Sequence, residues 1–108
     1  MKQKEGVSIK GIQPEVIYGL LVAETVFTET GYDLIITSIC DSKHGVNSLH
    51  YKGLAFDLRS KHLPTEIIKK YLLECLKKCF GKEWDVILED LGGDNEHYHL
   101  EFDPKVNS

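Results

Sequence analysis

Two short stretches of the chain, about forty residues apart, concentrate the residue types that bind metal ions. The first runs Ser48-Leu49-His50-Tyr51-Lys52-Gly53-Leu54-Ala55-Phe56-Asp57, and the second is Glu96-His97-Tyr98-His99. A catalytic zinc ion takes three ligands from His, Asp or Glu, each within about 2.0 to 2.2 Å, and keeps one position for water. If His50, Asp57 and either His97 or His99 share one ion, the fold must bring these distant segments side by side.

The spacing of apolar residues predicts two helices and four strands in the order α, β, β, α, β, β. The first helix is predicted from Pro14 to a stop at Gly31, and the second from Pro64 to a stop at Gly81. Strands are predicted at 33–39, 53–59, 84–90 and 96–103. The predicted apolar stripes are Val16, Ile17, Leu20, Leu21 and Phe27 in the first helix, and Ile67, Ile68, Tyr71, Leu72, Cys75 and Cys79 in the second.

Alternation along the strands groups the polar side chains on one face. Asp57 and Arg59 share a face of their strand, and His97, His99 and Glu101 share a face of the last strand. The pattern predicts an α+β fold with a small, largely antiparallel sheet and helices packed on one face. At 108 residues, we expect positions 1–108 to form a single domain.

The charge balance and the length of the apolar segments exclude several classes of partner. A net charge of −4, with scattered lysines, argues against nucleic acid, and no apolar segment is long enough to span a membrane. The basic start lacks an apolar signal-peptide core, so we expect cytoplasmic synthesis. The three cysteines have no CxxC spacing, which argues against a disulfide framework or a cysteine metal site.

A carboxylate close to the proposed metal ligands suggests hydrolytic chemistry. A metal lowers the pKa of a bound water to about 7, and a nearby carboxylate can then accept its proton. Glu96, three residues before His99, is the candidate base. In a regular strand Glu96 would face away from His99, so this role requires Glu96 to precede the regular pairing.

The motif Ser48-x-His50-x-x-Gly53-x-Ala55-x-Asp57, followed by Glu96-His97-x-His99, resembles the M15 peptidase family. Its members are zinc D-Ala-D-Ala carboxypeptidases, D,D-dipeptidases and phage L-alanyl-D-glutamate endolysins. Five specified residue types in ten positions arise by chance on the order of once in 10⁴ to 10⁵ chains of this length. The resemblance covers residues 33–103 and implies a hedgehog/DD-peptidase-like fold.

The resemblance also implies roles for individual residues. His50, Asp57 and His99 match the zinc ligands, Glu96 matches the catalytic acid/base, and His97 would stabilise the developing oxyanion. Ser48 would shape the loop that presents His50 and is a substrate-binding candidate. Glu101 and Asp103 are candidates to orient a ligand imidazole.

One departure from the family concerns an arginine that commonly precedes the first ligand and binds the substrate carbonyl or carboxylate. Here the corresponding place reads Ser38-Ile39-Cys40-Asp41, and the chain has no arginine before Arg59. Lys43 or His44 could supply the positive charge as a point donor, and Arg59, on the Asp57 face, is another candidate.

Together these features predict a zinc-dependent peptidase that hydrolyses an amide bond in peptidoglycan stem peptides. The chain is most similar to the short phage- and prophage-encoded members of the family, and we expect it to act at the cell wall after release. The alternative is a metal-binding module of the same fold without catalytic activity. The missing upstream arginine favours this alternative, whereas the presence of Glu96 favours the enzyme.

Overall fold

The computed structural model describes residues 1–8, 11–39 and 54–103. In chain order, the elements of these ranges are β1 (Lys2–Gln3), α1 (Pro14–Thr30), β2 (Ile35–Ser38), β3 (Ala55–Arg59), α2 (Glu66–Phe80), β4 (Trp84–Glu89) and β5 (His97–Phe102). The predicted α+β class and the order of the six predicted elements are confirmed. The strand β1 was not predicted.

The five strands form one open, mixed sheet in the order β1-β2-β3-β5-β4. Strand β1 runs parallel to β2, and the other three pairings are antiparallel. The pairing of β1 rests on backbone hydrogen bonds from Lys2 N to Leu34 O and from Lys4 N to Ile36 O, each 2.8 Å long. The sequence does not reveal β1 because its two residues are polar and exposed, so no apolar alternation marks it.

Local signals set the ends of both helices. Helix α1 begins at Pro14 and ends at Gly31, whose φ of 82° is the left-handed conformation that glycine adopts without steric cost. Helix α2 begins one residue after Thr65, whose side-chain oxygen accepts a hydrogen bond of 3.1 Å from Ile68 N. Pro64 therefore precedes the helix and the cap residue, rather than starting the helix.

Both helices pack with one face of the sheet to form the hydrophobic core. Alternation places Phe56 and Leu58 of β3 and Tyr98 and Leu100 of β5 on this face, and all four are fully buried. The helical residues buried in the same cluster are Val16, Leu20, Ala23, Val26, Phe27, Leu72 and Leu76. With this face filled, the polar side chains of β3 and β5 are confined to the opposite face.

The predicted apolar stripes of the helices are wrong in part. Ile67 and Tyr71 of α2 are 81% and 60% exposed, and Ile17 and Leu21 of α1 are also exposed. Each turn of α2 carries two adjacent apolar residues, which therefore form two neighbouring rows along the helix. The row that contains Leu72 and Leu76 is buried against the sheet. Both rows have helical periodicity, so the spacing of apolar residues cannot show which row faces the core.

Neither helix of the described ranges has the length and apolar character that a bilayer-spanning segment requires.

Candidate metal centre

The open face of the sheet brings the two metal-ligand stretches into direct contact. Strands β3 and β5 are antiparallel neighbours, and their register places Asp57 opposite His99 and Arg59 opposite His97. The Asp57 Oδ1 and His99 Nδ1 atoms are 2.7 Å apart. The predicted convergence of Asp57 and His99 is therefore present, although 42 residues separate them along the chain.

His97 completes a group of three potential ligands. One ligand atom each from Asp57, His97 and His99 lies within 4.8 Å of the other two. The His97 Nδ1 atom donates to the Asn95 carbonyl oxygen at 2.5 Å. In the neutral ring this leaves Nε2 with a free lone pair, and Nε2 is 4.0 Å from Asp57 Oδ2. The family resemblance implies a role for His97 with the oxyanion, whereas its position suits the metal-ligand role that the sequence left open for it.

His99 is held between two carboxylates. Its Nε2 is 2.5 Å from Glu101 Oε1, while its Nδ1 faces Asp57. Burial lowers the pKa of His99, but the hydrogen bonds and charges of Asp57 and Glu101 outweigh this effect and raise the pKa to about 9. Without a metal, His99 is therefore a cation at neutral pH, and an ion that binds its Nδ1 must displace the proton shared with Asp57.

These residues suit a divalent transition metal by their chemistry. One carboxylate and two imidazoles are the nitrogen and oxygen donors that zinc and its neighbours bind. Both imidazoles are fixed from outside the cluster, His99 by Glu101 and His97 by the Asn95 carbonyl, as is common for metal-bound histidines. Asp57, His97 and His99 thus form a site that can hold a metal ion, with Glu101 as the orienting acceptor.

The cluster lies in an open cleft of about 680 Å³. Ser38 and Arg59 contribute to its wall, as do Lys4 and Lys61. The same wall also carries Glu89, Asp94 and Glu96, so the cleft combines a potential metal site with side chains of both charges.

Glu96 is placed before regular pairing begins, as its predicted catalytic role required, but its carboxylate is tied to the protein. Only 5% of the residue is exposed. Lys69 Nζ and Gly92 N donate to its Oε1 at 2.9 and 3.0 Å, and Ser60 Oγ donates to its Oε2 at 2.5 Å. Glu96 therefore links α2 and the segment after β3 to the turn that precedes β5.

The surroundings of Glu96 favour its ionised form. Burial raises the pKa of Glu96, but the hydrogen bonds from Ser60, Gly92 and Lys69 together outweigh burial and leave the pKa below its ordinary value. A general base at neutral pH works best with a pKa near 7 and an accessible lone pair. The structure thus gives Glu96 an anchoring role that the sequence analysis did not anticipate.

Glu89 is a carboxylate of the cleft that the sequence analysis did not single out. It is the last residue of β4 and lies opposite His97 in the pairing of β4 with β5. Its Oε1 is 3.7 Å from His97 Nε2, and its side chain is 45% exposed. The sequence predicts a strand at 84–90, but the register that places Glu89 opposite His97 is seen only in the structure.

Arg59 is the substrate-binding candidate that the structure describes. It is exposed, lies opposite His97 and contributes to the cleft. Four other predicted site residues lie outside the described ranges: Lys43, His44, Ser48 and His50.

Comparison of the chain with protein-family models, with curated proteins and with solved structures finds no match. We therefore infer the function from the geometry of this site and from the sequence motifs.

Proposed function

We propose that the protein is a zinc-dependent peptidase that hydrolyses an amide bond in the stem peptides of bacterial peptidoglycan, in the manner of M15 peptidases. The observation that carries the proposal is the contact between Asp57 and His99, with 2.7 Å between Oδ1 and Nδ1. These two residues belong to separate halves of the family-like motif. A chance motif gives no reason for its halves to meet at one point of the sheet.

The wider arrangement supports the same proposal. A mixed sheet with two helices on one face and a His/Asp cluster on the other is compatible with the hedgehog/DD-peptidase-like fold that the motif implies. We assign the first ligand to His50, because it occupies the corresponding motif position four residues before Leu54, where the described chain resumes. His97 would then be either an additional ligand or a donor to the substrate oxyanion.

Four residues of the cleft have distinct roles in the proposed reaction. When bound, a zinc ion would supply Lewis acidity, lowering the pKa of a coordinated water to about 7 and polarising the scissile carbonyl. Asp57 and His99 would hold the ion, and Glu101 would keep the His99 ring oriented by accepting its second N–H. Arg59, exposed at the cleft, would bind a substrate carbonyl or carboxylate in place of the arginine that the family carries upstream.

The test is digestion of purified peptidoglycan by the zinc-loaded full chain. New amine ends, counted by amine labelling, and the masses of the released peptides would identify the bond that is cleaved. The Asp57→Asn and His99→Gln variants should release no peptide while retaining the folded-state circular dichroism spectrum. A His62→Gln variant, which alters a histidine whose ring contacts the Asp33 carbonyl, should digest peptidoglycan at the rate of the unaltered chain.

The second candidate is a metal-binding module of the same fold without catalysis. One observation favours it, because the predicted base Glu96 is buried and engaged by three donors. Stoichiometric zinc without release of amine ends from peptidoglycan would support this candidate and contradict the peptidase.

A further inference from the structure

Large apolar side chains lie on the outer surface of the two helices, on the opposite side of the sheet from the cleft. Ile17, Tyr18 and Leu21 of α1 and Ile67 and Tyr71 of α2 are each between 48% and 81% exposed. We call these five residues the helix patch. The outer face of a surface helix normally carries charged and polar residues, so an apolar group of this size indicates a surface that another molecule covers.

The patch continues along α1 without a charged residue. Positions 17, 18, 21, 25 and 28 share the outer face of the helix at helical spacing, and positions 25 and 28 are exposed threonines. The Thr25 hydroxyl donates to the Leu21 carbonyl oxygen at 3.1 Å. That hydroxyl keeps its partner if a second molecule covers the face, so burial does not leave it as an unsatisfied donor.

The two helices are antiparallel neighbours, which fixes the residues of α1 and α2 that lie at the same level. Gly19, near the start of α1, lies against the end of α2, because a Cβ atom at Gly19 would be 3.1 Å from Phe80 Cε1. Glu29, near the end of α1, lies close to Tyr71 of α2. The pKa of Tyr71 is raised by a hydrogen bond with Cys75 and also by the nearby charge of Glu29.

The charges of the two helices are opposite in sign. Helix α1 carries three glutamates and no lysine or arginine, whereas α2 carries four lysines and two glutamates. An interface that laid α1 on α1 would bring like charges together, and one that laid α1 of one copy on α2 of another would bring opposite charges together. An anionic membrane would instead require a basic rim on both helices. The partner that this surface fits is therefore a second copy of the chain.

We infer that the helix patch is the interface of a symmetric homodimer in which α1 of each copy packs on α2 of the other. A two-fold axis that runs parallel to the helices, between the two helix layers, produces this arrangement. An axis perpendicular to the helices would lay each helix on its own counterpart, with like charges in contact. The inference does not depend on the proposed function, and both clefts of the dimer face away from the interface.

The symmetry identifies an ion pair between the copies. Rotation about an axis parallel to the helices keeps every residue at its own level, and Glu29 is level with Tyr71. Glu29 of the second copy would therefore lie over α2 near Lys70, the residue next to Tyr71. Lys70 is on the exposed side of α2, where its Nζ is 2.9 Å from Glu66 Oε1. By symmetry the pair between Glu29 and Lys70 would occur twice in the dimer.

The size of the patch sets the expected strength of association. A helix of 17 residues is about 25 Å long, and two packed helices are together about 20 Å wide. The covered surface is therefore about 500 Å² in each copy, or about 1,000 Å² in total, which is the lower end of the range for specific interfaces. We expect a dimer with a dissociation constant, Kd, in the micromolar range.

The test is the dimer Kd of the full chain, measured by analytical ultracentrifugation at micromolar concentrations and low salt. Leu21→Glu places a charge in the helix patch of both copies. Glu29→Lys and Lys70→Glu each reverse one side of the expected ion pair, and the double variant restores the pair with its charges exchanged. Glu89→Lys is the matched control, because it makes the same change of charge in the cleft, on the other side of the sheet. The Tm of each variant shows whether it is folded.

We expect Glu89→Lys to dimerise with a Kd within about twofold of the unaltered value, because distant sites act independently. Leu21→Glu should raise the Kd by at least about tenfold, since it buries an unpaired charge twice. Glu29→Lys and Lys70→Glu should each raise the Kd by about threefold to tenfold, the range for two partly screened ion pairs. The double variant should return to within about threefold of the unaltered Kd, because complementary charges face each other again.

Three results would overturn the inference. The first is an unaltered chain that stays monomeric throughout the micromolar range, including one whose monomer sediments with phosphatidylglycerol vesicles, which would make the patch a membrane-binding surface. The second is a folded Leu21→Glu variant that dimerises with the unaltered Kd, which would place the interface elsewhere. The third is a folded double variant that dimerises no better than the single variants, which would contradict the packing of α1 on α2.

Discussion

Asp57 and His99 are directly opposite each other on the neighbouring strands β3 and β5, and a hydrogen bond of 2.7 Å joins their side chains. The same imidazole contacts Glu101 Oε1 at 2.5 Å through its other nitrogen. The carboxylates of Asp57 and Glu101 thus fix the orientation of the His99 imidazole, with Nδ1 facing Asp57. This arrangement connects the fold to the proposed chemistry, because sheet register alone determines which residues meet.

The Asp57–His99 pair should make the metal-free protein less stable at high pH. The folded pKa of His99, about 9, is above its ordinary value of 6.5, so the stabilisation is fully present below pH 6.5 and is lost as the pH rises through 9. The quantity to measure is the Tm of the chelator-treated unaltered protein minus the Tm of chelator-treated Asp57→Asn. We expect this difference to fall by at least about 4 °C between pH 6 and pH 10, which corresponds to about 1 kcal/mol in a domain of this size. A difference in Tm that stays constant across this range would contradict the account.

Removal of the Glu101 carboxylate, which contacts His99 Nε2, should weaken metal binding without abolishing it. In Glu101→Ala the imidazole loses the acceptor that fixes its tautomer and its orientation. Loss of such a partner typically lowers metal affinity by about 10 to 100-fold. Chelator competition would measure the effect, with the exposed Glu83→Ala as control. Equal zinc affinities in the two variants would show that Glu101 does not orient a ligand.

The buried ion pair between Glu96 and Lys69 should contribute strongly to stability. Their side chains are 2% and 16% exposed, and the Nζ–Oε1 distance is 2.9 Å. Glu96→Ala leaves the Lys69 ammonium without its carboxylate, and breaking a buried pair in this way costs about 3 kcal/mol or more. Chemical denaturation would measure this loss of unfolding free energy.

The matched control for Glu96→Ala is Glu66→Ala, which removes the exposed i,i+4 partner of Lys70. This pair should contribute no more than about 0.5 kcal/mol, because both side chains are 60% exposed and water screens their charges. Similar losses of unfolding free energy in the two variants would contradict the anchoring role of Glu96.

Much of the fold could be predicted because local signals in the sequence are strong. Glycines 31 and 81 end the helices where the sequence predicts, and alternation along β5 correctly separates His97 and His99 from Tyr98 and Leu100. The two-residue strand β1 and the buried row of α2 could not be predicted. Strand β1 lacks any apolar pattern, and only tertiary packing determines which apolar row of α2 is buried.

The candidate site was predictable only as far as residue types and strand parity allow. The pairing of Asp57 with His99 follows from the motif, since ligands must converge. The burial of Glu96 depends on Ser60 and Lys69, which carry no signal in a motif that spans positions 48–57 and 96–99. Glu89 is found only when β4 is known to pair with β5 and to end beside His97.

The most direct test of the central claim is the zinc content of the purified full chain, determined by elemental mass spectrometry after loading and removal of free metal. We predict one zinc per chain in the unaltered protein and in the His62→Gln control, and less than about one tenth of that content in Asp57→Asn and in His99→Gln. Full zinc content in either ligand variant, or none in the unaltered chain, would contradict the claim that Asp57 and His99 bind a metal together.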